Sequence, residues 1–480
     1  MNTSASASHP FGCAAVLSIS LLGGCVAGKT YQKPALDTPP QFIAQSGPFT
    51  NAQPGERWWT ALMDSQLDAL IDTALADNPD LLAAEARVRA SRAQLGESES
   101  ARIPQINADA RLSRDRLSRN GENFANLPFP NPKTEFTDYR AGFDASWEID
   151  IAGRTRHSME AASARLDSTM ESRNNARVVL AAEVVNDYIS FRIGQHRLKL
   201  AQETLDALTQ TENLVERQWR AGAVGDIEQR RATAEQQSAT ANIPPLEAEM
   251  NAALYRLAAL TGMPAAILTS RLNAIQPIPS LPESVPVGLP SDLLRRRPDV
   301  RRAERNLAAA SADLGVAIAE QYPRFALIGD IGLESIRSGD FAAAASRYWN
   351  LAPQLSVPLF SGGRLKQAVH AGEANRDAAL QIYRSAVLQA LADTESALIR
   401  YSHEKSRAQI LSESFRTLEG SLDLARQRYR AGETALTDVL DVQREIYRIA
   451  DQRVQSAGQA VQYFASLQKS LGGGWSGESR

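Results

Sequence analysis

Cysteine and histidine are scarce in this sequence: two and five among 480 residues. That argues against a structural zinc centre and against a disulfide framework. Aromatic residues make up only 6%, thin for the core of a large globular enzyme. The formal net charge is −3, so no basic surface invites nucleic acid. Mean hydropathy is −0.30, and beyond the N-terminus no run of about 20 apolar residues occurs, which excludes a polytopic helical membrane protein. A β-barrel stays open, because its strands are only half apolar. Proline is missing from Arg154 to Trp219 and again after Pro358. No histidine pair at ligand spacing, no G-x-S-x-G and no dinucleotide fingerprint between a strand and a helix is found, so nothing points to an enzyme. The many carboxylates fall on amphipathic helices, where a solvated face is the usual reading.

What is present begins with a processing signal. Phe11 to Leu22 is an apolar stretch too short to span a membrane, and Leu22-Gly23-Gly24-Cys25 follows it. The pattern resembles a bacterial lipoprotein signal, although the preceding MNTSASASHP lacks the usual Lys or Arg. Cys25 is then the expected acylated residue, and its covalent lipid is the single non-protein group expected, with no cofactor and no metal. Cys13 leaves with the signal, so no intrachain disulfide forms. By the same resemblance, Val26 in place of an aspartate favours the outer membrane. Gly23 to Thr30 also spells G-x-x-x-x-G-K-[ST], but Pro34, Pro39 and Pro40 forbid the helix that a phosphate loop needs.

The strongest organisational signal is an internal repeat. Pro79, Gly96 and Pro104 return at one constant offset as Pro298, Gly315 and Pro323. Gly153, Gly222 and Gly262 return at a second constant offset as Gly363, Gly432 and Gly472. The offset changes once, which places one insertion in the first copy between Pro104 and Gly153. Such a period is too long for a solenoid and implies a duplicated, domain-sized unit. The expected organisation is a signal at 1–24, an acylated extended segment at 25–60, and a first repeat at 61–274. A proline-rich linker at 275–290, a second repeat at 291–472 and a tail at 473–480 follow.

Each repeat reads helix, strand, loop, strand, long helix, tight turn, long helix. Strands are expected near 105–117, 138–150, 324–335 and 348–360. Ile106, Ala108, Ala110 and Leu112 alternate with Gln105, Asn107, Asp109 and Arg111; Tyr139, Ala141, Phe143, Ala145, Trp147 and Ile149 alternate with Arg140, Asp144, Ser146, Glu148 and Asp150. Alternation over about ten residues fits a transmembrane β-strand. Strands of a soluble sandwich alternate in the same way. The stretch from Ser118 to Phe136, broken by Gly121, Pro128, Pro130 and Pro132, reads as an exposed loop. From Arg154 the proline-free run is long enough for roughly 100 Å of helix at about 1.5 Å per residue. Near-heptad apolar spacing, as at Val439, Ile446, Val454, Val461 and Leu467, predicts narrow coiled-coil seams that need partner helices. Pro244-Pro245 must split or kink the helix between Asp226 and Thr261.

Four lipid-facing strands cannot stand alone, because hydrocarbon tolerates no open sheet edge. Closure must come from further copies of the chain: two copies give eight strands, whose interior side chains fill, and three give twelve, wide enough for an aqueous lumen. Asp109, Arg111, Asp144, Glu148 and Asp150 would face that lumen.

The duplicated unit, Cys25, NPDL at Asn78 to Leu81, RPDV at Arg297 to Val300, FSGGR at Phe360 to Arg364 and YRAGETALTDVLDVQ at Tyr429 to Gln443 together resemble the TolC/NodT outer-membrane factor family. The resemblance covers essentially the whole mature chain. It implies a mainly α fold with a transmembrane antiparallel β-barrel: a trimer with four strands per chain, a twelve-stranded barrel and a long periplasmic α-helical barrel. It implies a passive exit duct for drugs or toxic compounds, working with a periplasmic adaptor protein and an inner-membrane pump of the resistance–nodulation–division type, in contact with outer-membrane lipid and with no nucleic acid. A type I protein-secretion channel uses the same tube, and a lipid-anchored coiled-coil scaffold without a pore is the rival of another class.

By the same resemblance Asp438 and Asp441 match aperture aspartates, Tyr429 a tyrosine of the closing links, and Glu228 another linking acid. Thr434 stands where some members carry an arginine; Arg426, Arg428 or Arg430 are the candidates to replace it. The turns Arg220-Ala221-Gly222 and Arg430-Ala431-Gly432 are candidate docking points for the adaptor, and are also plain helix C-caps.

Overall fold

The computed structural model describes residues 27–28, 30–44, 48–118 and 133–475. Helix α1, Ser65–Asp77, starts where the Asp64 carboxylate accepts the N–H groups of Gln66 and Leu67, the usual way of satisfying orphan donors. Helix α2, Pro79–Ser100, opens on a proline whose missing N–H costs nothing there. Strands β1, Gln105–Arg116, and β2, Glu135–Ile149, follow, then helix α3, Arg154–Arg220, 67 residues long. The break in the next stretch falls at Asn242: α4 is Asp226–Ala241 and α5 is Ile243–Thr261, with Pro244 and Pro245 in its first turn. Helices α6, Ala265–Leu272, and α7, Pro290–Arg296, flank the linker. The second copy then gives α8, Pro298–Ala319, β3, Arg324–Ser335, β4, Arg347–Ser356, α9, Arg364–Arg430, again 67 residues, and α10, Leu436–Ser470.

The chain divides into two compact units. One takes the residues up to Pro34, Arg89–Asp167 and Glu304–Gln381 and contains one antiparallel sheet of order β1-β2-β3-β4. The other takes Ala35–Val88, Ser168–Ala303 and the chain from Ile382. Several of its few aromatics pack together there: Trp58 meets Trp59 and Phe464 edge-on, and Tyr401 sits between Phe464 and Phe49. Arg192 is fully buried in the same unit and donates to Gln66, Gln195 and the Ala274 carbonyl. Neutral acceptors and the faces of Tyr188 and Phe191 hold this cation, so it ties α1, α3 and the start of the linker together.

The duplication is visible as matching atomic contacts. In the first copy Asn78 donates to the Leu260 carbonyl at 2.9 Å; in the second, Arg297 donates to the Ser470 carbonyl at 3.1 Å. Two residues past each carbonyl stand Gly262 and Gly472, with φ of 67° and 72°. A Cβ on Gly472 would lie 2.8 Å from the Arg296 carbonyl oxygen, and one on Gly262 would lie 2.9 Å from that of Asp77. Gly472→Ala is therefore expected to cost about 1–3 kcal/mol from the left-handed backbone, with further loss from the clash. The drop in melting temperature of the detergent-solubilised protein measures it.

Candidate functional site

The sheet sorts its side chains by face. In register, Ile106 pairs with Ala145, Phe143 with Ile331, and Ile331 with Trp349, while Asn107 pairs with Asp144, Asp144 with Asp330 and Asp330 with Asn350. Because pairing partners share a face, one side carries Ile106, Leu112, Phe143, Ile331, Trp349, Leu351 and Leu355. The other carries Asp109, Arg111, Asp144, Glu148 and Asp330. The apolar side is open: Trp349 is 77% exposed, Leu112 69% and Ile106 68%. On a water-soluble protein so large an uncovered apolar face marks a buried interface or a membrane. The apolar run of β2 extends from Tyr139 to Ile149, about 34 Å along the strand at roughly 3.4 Å per residue, which at a tilt of about 40° spans roughly 26 Å, close to the apolar band of an outer-membrane barrel. The edges β1 and β4 each pair on one side only among the described residues.

On the polar side Asn107 donates to Asp144 at 3.0 Å and Asn350 to Asp330 at 3.3 Å. One cross-sheet row is thus Asn-Asp-Asp-Asn, with the carboxylates in the middle. Arg140 lies within 3.5 Å of Asp330 and 3.9 Å of Glu334. A wet, mostly acidic surface backed by an apolar one can line an aqueous passage.

The helix turns form the second feature. Gly222 and Gly432 have φ of 72° and 75°. Ala223 N–H reaches back to the Gln218 carbonyl at 2.8 Å, and Glu433 N–H to that of Arg428 at 2.9 Å. The same glycine-closed turn ends both 67-residue helices. Arg220, Ala221, Arg430 and Ala431 are exposed beside them.

Tyr429 is half-buried between two apolar clusters, Val215 with Ala232 and Leu440, and Leu422 with Val439 and Ile446. Its hydroxyl donates to Gln218 at 3.3 Å. Asp438 and Asp441 are both exposed on α10. Asp441 is held by Arg444 at 3.1 Å, and the other arm of Arg444 grips Glu235 of α4 at 2.6 Å. This bridge was not foreseen from sequence, although Arg444 stands one helical turn beyond Asp441. Among the three arginines considered as replacements at the tip, Arg428 pairs with Glu433 at 3.4 Å. Arg426 and Arg430 line a groove of about 670 Å³ with Arg217 and Tyr429; Arg217, Arg426 and Arg430 make no ion pair among the described residues. Glu228 lies in the first turn of α4, near Gly225.

Cys25 lies outside the described residues. The described chain resumes at Ala27, whose N–H donates to the Ala152 carbonyl at 3.0 Å. Buried His157 donates from Nε2 to the Ala27 carbonyl at 2.9 Å and faces Glu160 with Nδ1. No sequence motif marks His157; only its place beside Gly28 and Gly315 in space does.

The outer membrane efflux protein family matches residues 70–263 and 289–473. The chain is 33% identical to the pyoverdine export outer membrane protein OpmQ of Pseudomonas putida over 97% of its own length and 98% of that protein. It is 27% identical to the cation efflux system protein CusC of Escherichia coli, over 95% of this chain and 96% of that one. Among solved structures, the outer-membrane channel OprN superposes with a TM-score of 0.88 at 31% identity, covering 94% of this chain and all of that one.

Proposed function

Because this chain belongs to the outer membrane efflux protein family, a family of channels and not of enzymes, we propose that it is the passive exit duct of a tripartite efflux system. Its inner-membrane partner is a pump of the resistance–nodulation–division type, reached through a periplasmic adaptor. The observation that carries the reading is the strand register: apolar side chains exposed on one face, carboxylates on the other, and two edges without a partner strand among the described residues. Hydrocarbon around such a sheet demands closure. Three chains supply twelve strands and an aqueous lumen, with a periplasmic helical barrel in the same homotrimer. Acylation of Cys25 anchors it to outer-membrane lipid. Pyoverdine export and cation efflux among its relatives favour efflux over type I protein secretion.

In this reading the turns at Ala221-Gly222 and Ala431-Gly432 receive the adaptor, and the aperture is drawn shut near Asp438. A ring of aspartates repels itself unless cations sit between them. Arg426 and Arg430 have no ion pair within the described chain and are suited to meet Asp438 of the neighbouring subunit. Tyr429 fixes the helix that carries them, and Glu228 offers a further acid. Docking of the adaptor would pull these links apart.

The purified acylated protein is expected to run as a heat-modifiable trimer in detergent and to give single channels in planar bilayers. A water-soluble monomer without channel activity would overturn the proposal and favour the pore-free scaffold.

A further inference from the structure

The polar face of the sheet contains one place where shape and charge are built together. In register, Gly142 of β2 pairs with Gly332 of β3, and Gly332 with Tyr348 of β4. Neither glycine has a positive φ, so backbone freedom does not require them. Space does: a Cβ on Gly142 would lie 2.7 Å from the Tyr348 hydroxyl and one on Gly332 would lie 2.8 Å from it. The absent side chains leave a notch two strands wide, and the phenol of Tyr348 lies across it.

Arg140 is fixed by that phenol. Its Nε donates to the Tyr348 hydroxyl at 3.0 Å, and its guanidinium carbon sits 4.7 Å from the ring centroid. Asp330 and Glu334 flank it at 3.5 and 3.9 Å. Directly opposite in register stands Arg111 of β1, which makes no ion pair among the described residues. Two cations facing each other across a strand pair repel, and the Tyr348 contact draws Arg140 away from Arg111 toward β3 and β4. The remaining charges on this face within the strands are mostly acidic: Asp109, Asp115, Asp138, Asp144, Glu148, Asp330 and Glu334, with Arg324 the one further cation among the described residues.

We propose that Arg140, seated on Tyr348 over the Gly142–Gly332 notch, sets the charge selectivity of the barrel lumen, with Tyr348 as its positioning residue. The inference rests on the channel reading above. Charge on the wall of a pore concentrates ions of opposite sign and excludes those of like sign. Without Arg140 the carboxylates of this face would outweigh Arg111 and Arg324 still further and make the lumen more cation-selective. Arg140 offsets Asp330 and Glu334 at a fixed position, so the barrel keeps a weaker preference, and its cation stays in place because the arginine is both stacked and hydrogen-bonded.

The test is the reversal potential of single channels under a KCl gradient. It is measured on the full chain and again with Asp438→Asn and Asp441→Asn, which removes the charge of the tip aspartates. Arg140→Gln is expected to raise the cation-to-anion permeability ratio at least about twofold, Tyr348→Phe to raise it by less, and Arg140→Lys to stay near the native value. Trimer heat stability should stay native in Arg140→Lys and Tyr348→Phe. A native ratio for Arg140→Gln in both backgrounds overturns the proposal, as does a shift in Arg140→Lys equal to that in Arg140→Gln, since that would mark a structural role. A native ratio for Tyr348→Phe removes Tyr348 as the positioning residue. Absence of channels in the unsubstituted protein would instead sink the channel reading itself.

Discussion

Replacing Asp438 and Asp441 together by alanine is expected to raise single-channel conductance severalfold and to make cells that carry the variant leaky to large antibiotics. Both carboxylates are exposed on α10, where three-fold symmetry would bring like charges together. Two carboxylates at about 6 Å repel by about 3 kcal/mol at an effective dielectric near 20, so the proposed closed aperture calls for protonation, a cation or a hydrogen-bond donor between subunits. The two aspartates are not equivalent. Asp441 is already engaged by Arg444 of its own helix, and Arg444 in turn fastens α10 to Glu235 of α4 within one chain. Asp438 has no ion-pair partner among the described residues and is the one available to a neighbour. Asp438→Ala alone should therefore give most of the increase, and Asp441→Ala alone a smaller one. Unchanged conductance of the double variant in planar bilayers would refute the gate.

Replacing Arg297 by alanine is expected to destabilise the fold strongly, by about 2–3 kcal/mol. Arg297 is 8% exposed, and its guanidinium binds Asp299 at 2.6 Å, Asp393 at 3.1 Å and the Ser470 carbonyl at 3.1 Å. Removal leaves two half-buried carboxylates, Asp299 and Asp393, without their cation. Burial alone would push the Asp299 carboxyl up, but the Arg297 hydrogen bond and charge, with the Val300 N–H, override this and hold it below the ordinary range. A depressed carboxyl stabilises the fold at pH above its unfolded value of about 4, and that contribution fades as the pH falls through the lower, folded value. Native protein should thus lose stability on acidification below about pH 4, and Arg297→Ala should lose less of it there because the contribution is already gone. Thermal unfolding at several pH values reads both effects. Arg297→Asn restores the residue found at the matching position, Asn78, which reaches the equivalent carbonyl; it should recover part of the loss but not the pH dependence.

Much of the architecture was legible because its causes are local and periodic. Strict alternation from Tyr139 to Asp150 fixes which side chains share a face, and the run without proline from Arg154 permits one uninterrupted helix. The glycines at 222 and 432 sit where the chain must turn with positive φ, so their spacing could be read directly. The cross-strand and cross-helix partners could not. Arg444 reaches Glu235 of another helix, and Tyr348 lies over glycines 142 and 332, because register and helix rotation bring them together; no one-dimensional pattern encodes either. His157 escaped for the same reason: its partner is the backbone carbonyl of Ala27, and a carbonyl leaves no trace in residue identity.

The open rims of the sheet, β1 and β4, bear on how such a tube can be made. A rim left unmated within lipid exposes a ladder of backbone dipoles that nothing else can satisfy, so in the proposed trimer the three arcs must seal before they are fully immersed. Assembly is then all-or-none, and a subunit whose rim is damaged disables two sound neighbours along with itself. Intact tubes should dwindle as the cube of the healthy fraction, and a lesion in one gene copy would act dominantly.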